Sequence, residues 1–215
     1  MKYFASGLLF DNDGVLVDSH CAAIVAWGQW CSEYAPHMNW DDSANAGRRA
    51  EDMVRDWIAS PELFEEANNR INQLEQDSAG QTIALAGAVE LTRSLKPGCW
   101  IVVTSANPNL GRARLLAAGI PVPAELVTAA DVKSGKPAPD PYLLGAERLG
   151  FDPADCVVFE DAAAGVEAAA EAGVGLIVGI GERALQTEAD IVIRDLSGIT
   201  FDGEVLTIPD RNRLR

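Results

Sequence analysis

Leu8-Leu9-Phe10-Asp11-Asn12-Asp13-Gly14-Val15-Leu16-Val17-Asp18-Ser19 decides how this chain reads. Its apolar start, Leu8 to Phe10, predicts a short buried strand, which ends in two carboxylates spaced i, i+2 and then a glycine. In α/β proteins, ligands gather at the rim where parallel strands end. Two acids one residue apart can meet there in one polar pocket. Their repulsion raises one pKa unless a divalent cation relieves it. Gly14 lets the backbone leave the strand sharply. Asp-x-Asp-Gly also occurs in surface turns and calcium loops. A twelve-residue calcium loop opening at Asp11 would close on an acid, and this chain carries Ala22 there.

Outward from this stretch, Asp18 or Ser19 can cap a helix from His20 to Tyr34, with Ala22, Ile24-Val25, Trp27 and Trp30-Cys31 on a broad apolar face. Asp41-Asp42-Ser43 reads as a loop or the start of another helix. Arg48 to Ile58 and Pro61 to Leu74 read as helices, the latter with proline in its first turn. Nothing between 17 and 85 reads as a strand. Beyond it, helices (Ala88 to Leu95, Leu110 to Ala118, Pro141 to Leu149, Ala163 to Ala172) alternate with apolar runs. Those runs are Cys99 to Thr104, Leu126 to Thr128, Cys156 to Phe159, Gly175 to Val178 and Ile191 to Ile193. Alternation of this kind predicts a mostly parallel sheet covered on both faces. The expected architecture is α/β: a doubly wound, Rossmann-like core over 1–16 and 86–215, with a small all-helical insert over 17–85. The tail from Phe201 to Arg215 carries no pattern.

The whole composition agrees with a globular chain of 215 residues, 48% hydrophobic and 23% charged. No apolar run approaches the length of a membrane span, and no secretory signal precedes the first strand. The four cysteines (Cys21, Cys31, Cys99, Cys156) show no metal-like spacing with His20 or His37 and read as reduced core or near-core thiols of a cytoplasmic protein. A net charge of −15 argues against nucleic-acid binding and gives an anionic substrate no long-range steering. Local cations must do the attracting.

Polar groups follow four of the predicted strands: Asp11 and Asp13, then Thr104 and Ser105, then Lys136 within Gly135-Lys136-Pro137, then Glu160 and Asp161. Taken singly, each has a plain structural explanation. Ser105 could be a helix N-cap, Lys136 a solvated loop lysine, and Glu160-Asp161 acids favoured at a helix start. Their order, each after its own strand, brings them to one edge of a parallel sheet. Acids for a divalent cation, a hydroxyl, a helix N-terminus and a lysine together make a site for phosphoryl chemistry, with the carboxylate before the turn as nucleophile.

These four segments resemble the ordered motifs of the haloacid dehalogenase-like hydrolases: Phe10 to Ser19, Val103-Thr104-Ser105, Gly135-Lys136-Pro137, and Phe159-Glu160-Asp161-Ala162-Ala163-Ala164-Gly165. The likeness covers nearly the whole chain, and the helical insert matches the family's small cap. The run Val132 to Ala146 is similar to that of small sugar-phosphate and polyol-phosphate phosphatases. The resemblance implies that Asp11 attacks phosphorus to form an aspartyl phosphate. Asp13 would protonate the leaving oxygen and then activate water. Mg2+ would be held by the Asp11 carboxylate, the Asp13 backbone carbonyl and Asp161, with Glu160 as ligand or support. Ser105, Lys136 and the N–H groups of Asn12, Asp13 and Ala106 would hold phosphoryl oxygens. From the cap, Gly47-Arg48-Arg49 would reach inward; Arg48 and Arg49 read equally as surface charges at a helix start. Asn12 departs from a commonly apolar position and Val15 from a frequent threonine, and neither removes a reacting group.

The implied activity is magnesium-dependent hydrolysis of small sugar or polyol phosphates by an expected monomer, without nucleic-acid or membrane partners. A mutase of the β-phosphoglucomutase type shares the motifs. Such mutases carry a histidine, a lysine and an arginine where this chain has Ala23, Ala46 and Ala50. Dehalogenases usually lack the second aspartate, and Asp13 is present. A non-catalytic binding protein would not need every reacting group.

Overall fold

The computed structural model describes residues 1–38, 40 and 45–215. The Asp41-Asp42-Ser43 segment lies outside them. The strands are β1 (Lys2–Phe4), β2 (Gly7–Phe10), β3 (Val17–Asp18), β4 (Ile83–Ala84), β5 (Trp100–Val103), β6 (Leu126–Val127), β7 (Cys156–Glu160), β8 (Leu176–Ile180), β9 (Ile191–Ile193), β10 (Thr200–Phe201) and β11 (Val205–Thr207). The helices are α1 (His20–Tyr34), α2 (Ala50–Trp57), α3 (Pro61–Ser78), α4 (Ala88–Ser94), α5 (Pro108–Ala117), α6 (Asp140–Leu149) and α7 (Ala163–Glu171).

Six strands form one parallel sheet in the order β6-β5-β2-β7-β8-β9. The chain starts in the middle at β2, builds outward through β5 and β6, then returns to build β7, β8 and β9 on the other side. Strand order therefore reverses at β2, and a crevice opens at its carboxyl end. Phe10 pairs in register with Val102 and with Phe159, so the residues that leave β2, β5 and β7 emerge side by side. Alternation along these buried strands serves two faces. Leu8, Phe10, Val102 and Val157 pack with α4, and Leu9, Ile101, Val103 and Val158 pack with α6 and α7. Phe10 stacks on Phe159 with centroids 4.6 Å apart, which fixes the strand end directly before Asp11.

Helices α1, α2 and α3 bury a separate apolar cluster of Trp27, Trp30, Met53, Val54, Ala67 and Ile71. The Trp30 indole N–H donates to the Ala67 carbonyl at 2.8 Å, so its one polar atom is satisfied in the core.

Several sequence expectations need correction. The insert is not all-helical: β3 and β4 pair antiparallel where its chain leaves and rejoins the sheet. Two-residue strands are too short to show alternation. The tail is also ordered, since β11 pairs with β10 and with β1, an N-terminal strand that precedes the expected one. On α1, Ile24 (43%) and Val25 (69%) face solvent, and the buried stripe is Ala22, Ala26, Trp27 and Trp30. Cys21 is exposed, not near the core. Ser19 sits at the N-cap position without a capping bond, while Asp18 accepts the His20 N–H at 3.1 Å. None of the described helices is long and apolar enough to cross a membrane.

Candidate active site

Asp11 follows β2 and is buried. The Lys136 ammonium reaches it at 2.6 Å, donates to Glu160 Oε1 at 2.6 Å, and donates to the Val103 carbonyl at 3.2 Å. The lysine is not solvated. It lies in the interior with the Tyr142 ring 5.0 Å away. Glu160 has every oxygen committed. Oε1 accepts from Lys136 and from the Tyr142 hydroxyl at 2.7 Å, and Oε2 accepts the N–H groups of Asp161 and Ala162 at 2.9 and 3.2 Å. Glu160 therefore anchors Lys136 and the turn into α7.

Glycines make room for these acids. A Cβ at Gly165 would stand 1.7 Å from Glu160 Oε1, and one at Gly14 (φ 86°) would stand 2.2 Å from Asp161 Oδ2. Gly165→Ala is therefore expected to push Glu160 off Lys136 and lower the unfolding free energy by about 1–3 kcal/mol, seen as a lower urea midpoint, with lost activity. An unchanged midpoint would show that the turn yields freely.

Burial pushes the Asp11 carboxyl well above its ordinary range. Lys136 opposes this, and the neighbouring Glu160 and Asp161 charges reinforce it. Burial and Glu160 likewise push Asp161 up to about 7, against Arg183 at 3.2 Å. Burial disfavours the Lys136 charge, but Asp11 and Glu160 outweigh it and raise its pKa. Asp11, Glu160 and Asp161 each offer an oxygen within 4.8 Å of the others. Three converging carboxylates, two of which (Asp11 and Asp161) resist ionisation, fit the donor set of a hard divalent cation.

The Asp13 carboxylate lies apart from this cluster. Its Oδ1 accepts the Ser19 hydroxyl at 2.5 Å and lies 3.0 Å from the Arg114 guanidinium, which also donates to Glu75 at 3.2 Å. Asn12, fully buried, donates its side-chain amide to Asp13 Oδ2 at 3.4 Å.

After β5, Ser105 is not an N-cap. Asn107 caps α5 by accepting the N–H groups of Asn109 and Leu110, while the Ser105 hydroxyl donates to the Gly47 carbonyl at 2.6 Å. The Ala106 N–H donates to Thr104 Oγ1 at 3.1 Å. Gly47 thus brings the insert onto the sheet edge. Arg49 pairs with Asp52 at 2.6 Å and reaches the carbonyls of Val132 and Lys133 at 3.2 Å, beside the Lys136 loop. Arg48 pairs with Asp56 at 2.6 Å. Between insert and sheet edge lies a cavity of about 340 Å³ onto which Asp11, Asp13, Ser105, Arg48 and Arg49 open. Lys136 lies beneath its floor.

The family description "haloacid dehalogenase-like hydrolase" matches residues 5–173, which spans all four strand-end segments. The chain belongs to this family. Among curated relatives of this hydrolase, hexitol phosphatase A of Escherichia coli is 38% identical over 90% of this chain and 93% of its own. Fructose-1-phosphate phosphatase YqaB of the same organism is 31% identical over 80% of this chain and 95% of its own. A solved hydrolase from Pseudomonas syringae superposes with a TM-score of 0.76 at 25% identity, covering 89% of this chain and 94% of that one. With full-length phosphatases as relatives, this haloacid dehalogenase-like chain is a phosphoric monoester hydrolase.

Sequence reading of this hydrolase missed Ser19, Tyr142, Glu75 and Arg114. Two of them left a signal. Arg114 lies among Leu110, Gly111 and Leu115, and Glu75 continues Ala67 and Ile71 at i+4 spacing. A charge within a buried helical stripe needs a partner.

Proposed function

We propose that this hydrolase releases phosphate from small sugar or polyol phosphate monoesters, with Asp11 as nucleophile, Asp13 as acid and base, and magnesium as cofactor. The observation that carries the reading is the buried Asp11–Lys136–Glu160 chain opening onto a cavity under the helical insert. Lys136 orients the Asp11 carboxylate for in-line attack, and an aspartyl phosphate forms as the ester oxygen leaves. Asp13 gives that oxygen its proton and then takes one from water to release phosphate. Ser105, Ala106, Asn12 and Lys136 would receive phosphoryl oxygens, with Ser105 and Ala106 exchanging their bonds to Gly47 and Thr104. Asp11, Asp161 and the Asp13 carbonyl would hold magnesium, with Glu160 behind them. Bound there, the ion screens negative charge around the phosphoryl group and favours ionised Asp11. Residues 17–85 act as the cap that excludes water and reads the leaving group.

Charge within the cavity supports a hydroxyl-rich leaving group. Among the described lining residues every arginine is paired with a carboxylate: Arg48 with Asp56, Arg49 with Asp52, Arg114 with Asp13 and Glu75, Arg183 with Asp161. A second phosphate or a carboxylate would have to share an arginine already neutralised in this way. Ala23, Ala46 and Ala50 face this same cavity, which disfavours the mutase reading.

The test is phosphate release with magnesium over a panel of hexose, hexitol, glycerol and glycolate phosphates, with β-glucose 1-phosphate included. Steady release from hexose or hexitol esters, lost on chelation, is the expected result. Interconversion of glucose phosphates without free phosphate would overturn it.

A pH dependence follows from the raised acids. A carboxyl whose pKa rises on folding, as that of Asp161 does to about 7, holds its proton more tightly in the native state. The stability that Asp161 contributes to the metal-free protein is therefore present below about pH 4 and is lost as pH rises to about 7. Magnesium at pH 8 should raise the melting temperature more than at pH 5.5. Equal shifts at both pH values would mean that the ion binds elsewhere.

A further inference from the structure

Arg114 is 5% exposed and joins three parts of the chain: it projects from α5, meets Asp13 in the turn after β2 at 3.0 Å, and meets Glu75 on the insert helix α3 at 3.2 Å. Two charges buried in helix stripes and a third half-buried in a turn are seldom the most stabilising choice; apolar residues of like volume often serve as well or better. What the arrangement does provide is direction. Asp13 Oδ1 is bonded twice, by the Arg114 guanidinium and the Ser19 hydroxyl, while Oδ2 meets only the Asn12 amide at 3.4 Å. One oxygen is anchored and the other is left to work. Because Arg114 is itself held by Glu75, the anchor is complete only while α3 is seated on the sheet edge.

We infer that Arg114 is a positioning residue for the Asp13 carboxylate, and that Glu75 makes this positioning depend on the seated cap. Asp13 is then aimed at the leaving oxygen only in the closed enzyme, where bulk water is excluded. The inference rests on the proton-transfer role proposed for Asp13. Displacing a general acid by about 1 Å can cost on the order of 100-fold.

The readout is leaving-group selectivity. A polyol oxygen must be protonated as it departs, whereas p-nitrophenolate leaves without a proton. kcat/KM counts only steps up to that departure. In Arg114→Met, kcat/KM for a hexitol phosphate should fall about 30-fold further than for p-nitrophenyl phosphate. Glu75→Gln, which keeps an acceptor for Arg114, should show a smaller selective loss of about 5-fold and carries the test if Arg114→Met fails to fold. A loss equal for both esters, or no loss, overturns the inference. Asp13→Asn run in parallel separates the two layers. If Asp13→Asn shows no selectivity, the acid role itself fails; if it is selective and the Arg114 and Glu75 variants are not, only the positioning role fails.

Discussion

Asp11→Asn abolishes phosphate release, by at least about 10⁴-fold, and leaves the protein as stable as before or more so. Both halves follow from one environment. Asparagine fills the same volume but offers a neutral amide, with no charged oxygen to attack phosphorus. Burial and the charges of Glu160 and Asp161 already hold the Asp11 carboxyl well above its ordinary range, so ionised Asp11 is a cost that the fold carries for function. Removing that charge leaves Lys136 paired with Glu160 at 2.6 Å, so no cation is stranded. Steady-state release measured against a p-nitrophenyl or hexitol ester, beside a thermal melt without metal, checks both. Residual turnover above about 1% of the wild-type rate would remove Asp11 from the nucleophile's role, and a large drop in melting temperature would show that its charge is structurally required.

The order of strand ends makes most of this site legible in the sequence. Leu8 to Phe10 announced a buried strand, and the acids after it pointed to the sheet's rim, because a parallel sheet places such ends together whatever the intervening chain does. Asp11, Ser105, Lys136, Glu160 and Asp161 do converge there. What the linear pattern could not convey was how each group is held. Lys136 by itself looks like any loop lysine; only the packing of β2, β7 and α6 places it between two carboxylates and over Tyr142. Ser105 shares its position with ordinary caps, and the presence of Asn107 two residues later decides that α5 has another. The β3–β4 pair was invisible because two residues carry no period. Arg114 and Glu75 were detectable as charges in apolar stripes, but their meeting across insert and core is a long-range fact.

Lys136→Met removes the buried cation that pairs with Asp11 and Glu160 while keeping most of the stem's volume. It should cost about 3–5 kcal/mol of stability at pH 8 and lower kcat/KM about 1,000-fold. The stability cost arises because Asp11 and Glu160, each 2.6 Å from the ammonium, are left facing each other without it. Desolvated like charges relieve the strain by taking up a proton, so Asp11, already raised, holds its proton more tightly still in the folded variant. Native protein then binds more protons than unfolded chain, and the deficit relative to wild type should shrink as pH falls from 8 to 5.5. Saturating magnesium should restore part of the stability, since it supplies positive charge to Asp11 and close to Glu160. It should not restore the rate, because in the proposed reaction Lys136 also orients Asp11 and receives a phosphoryl oxygen. Urea unfolding at the two pH values, with and without magnesium, separates these effects from catalysis. A variant that unfolds and turns over like wild type would return Lys136 to the status of a loop lysine, and with it the buried ion chain that carries the reading of the site.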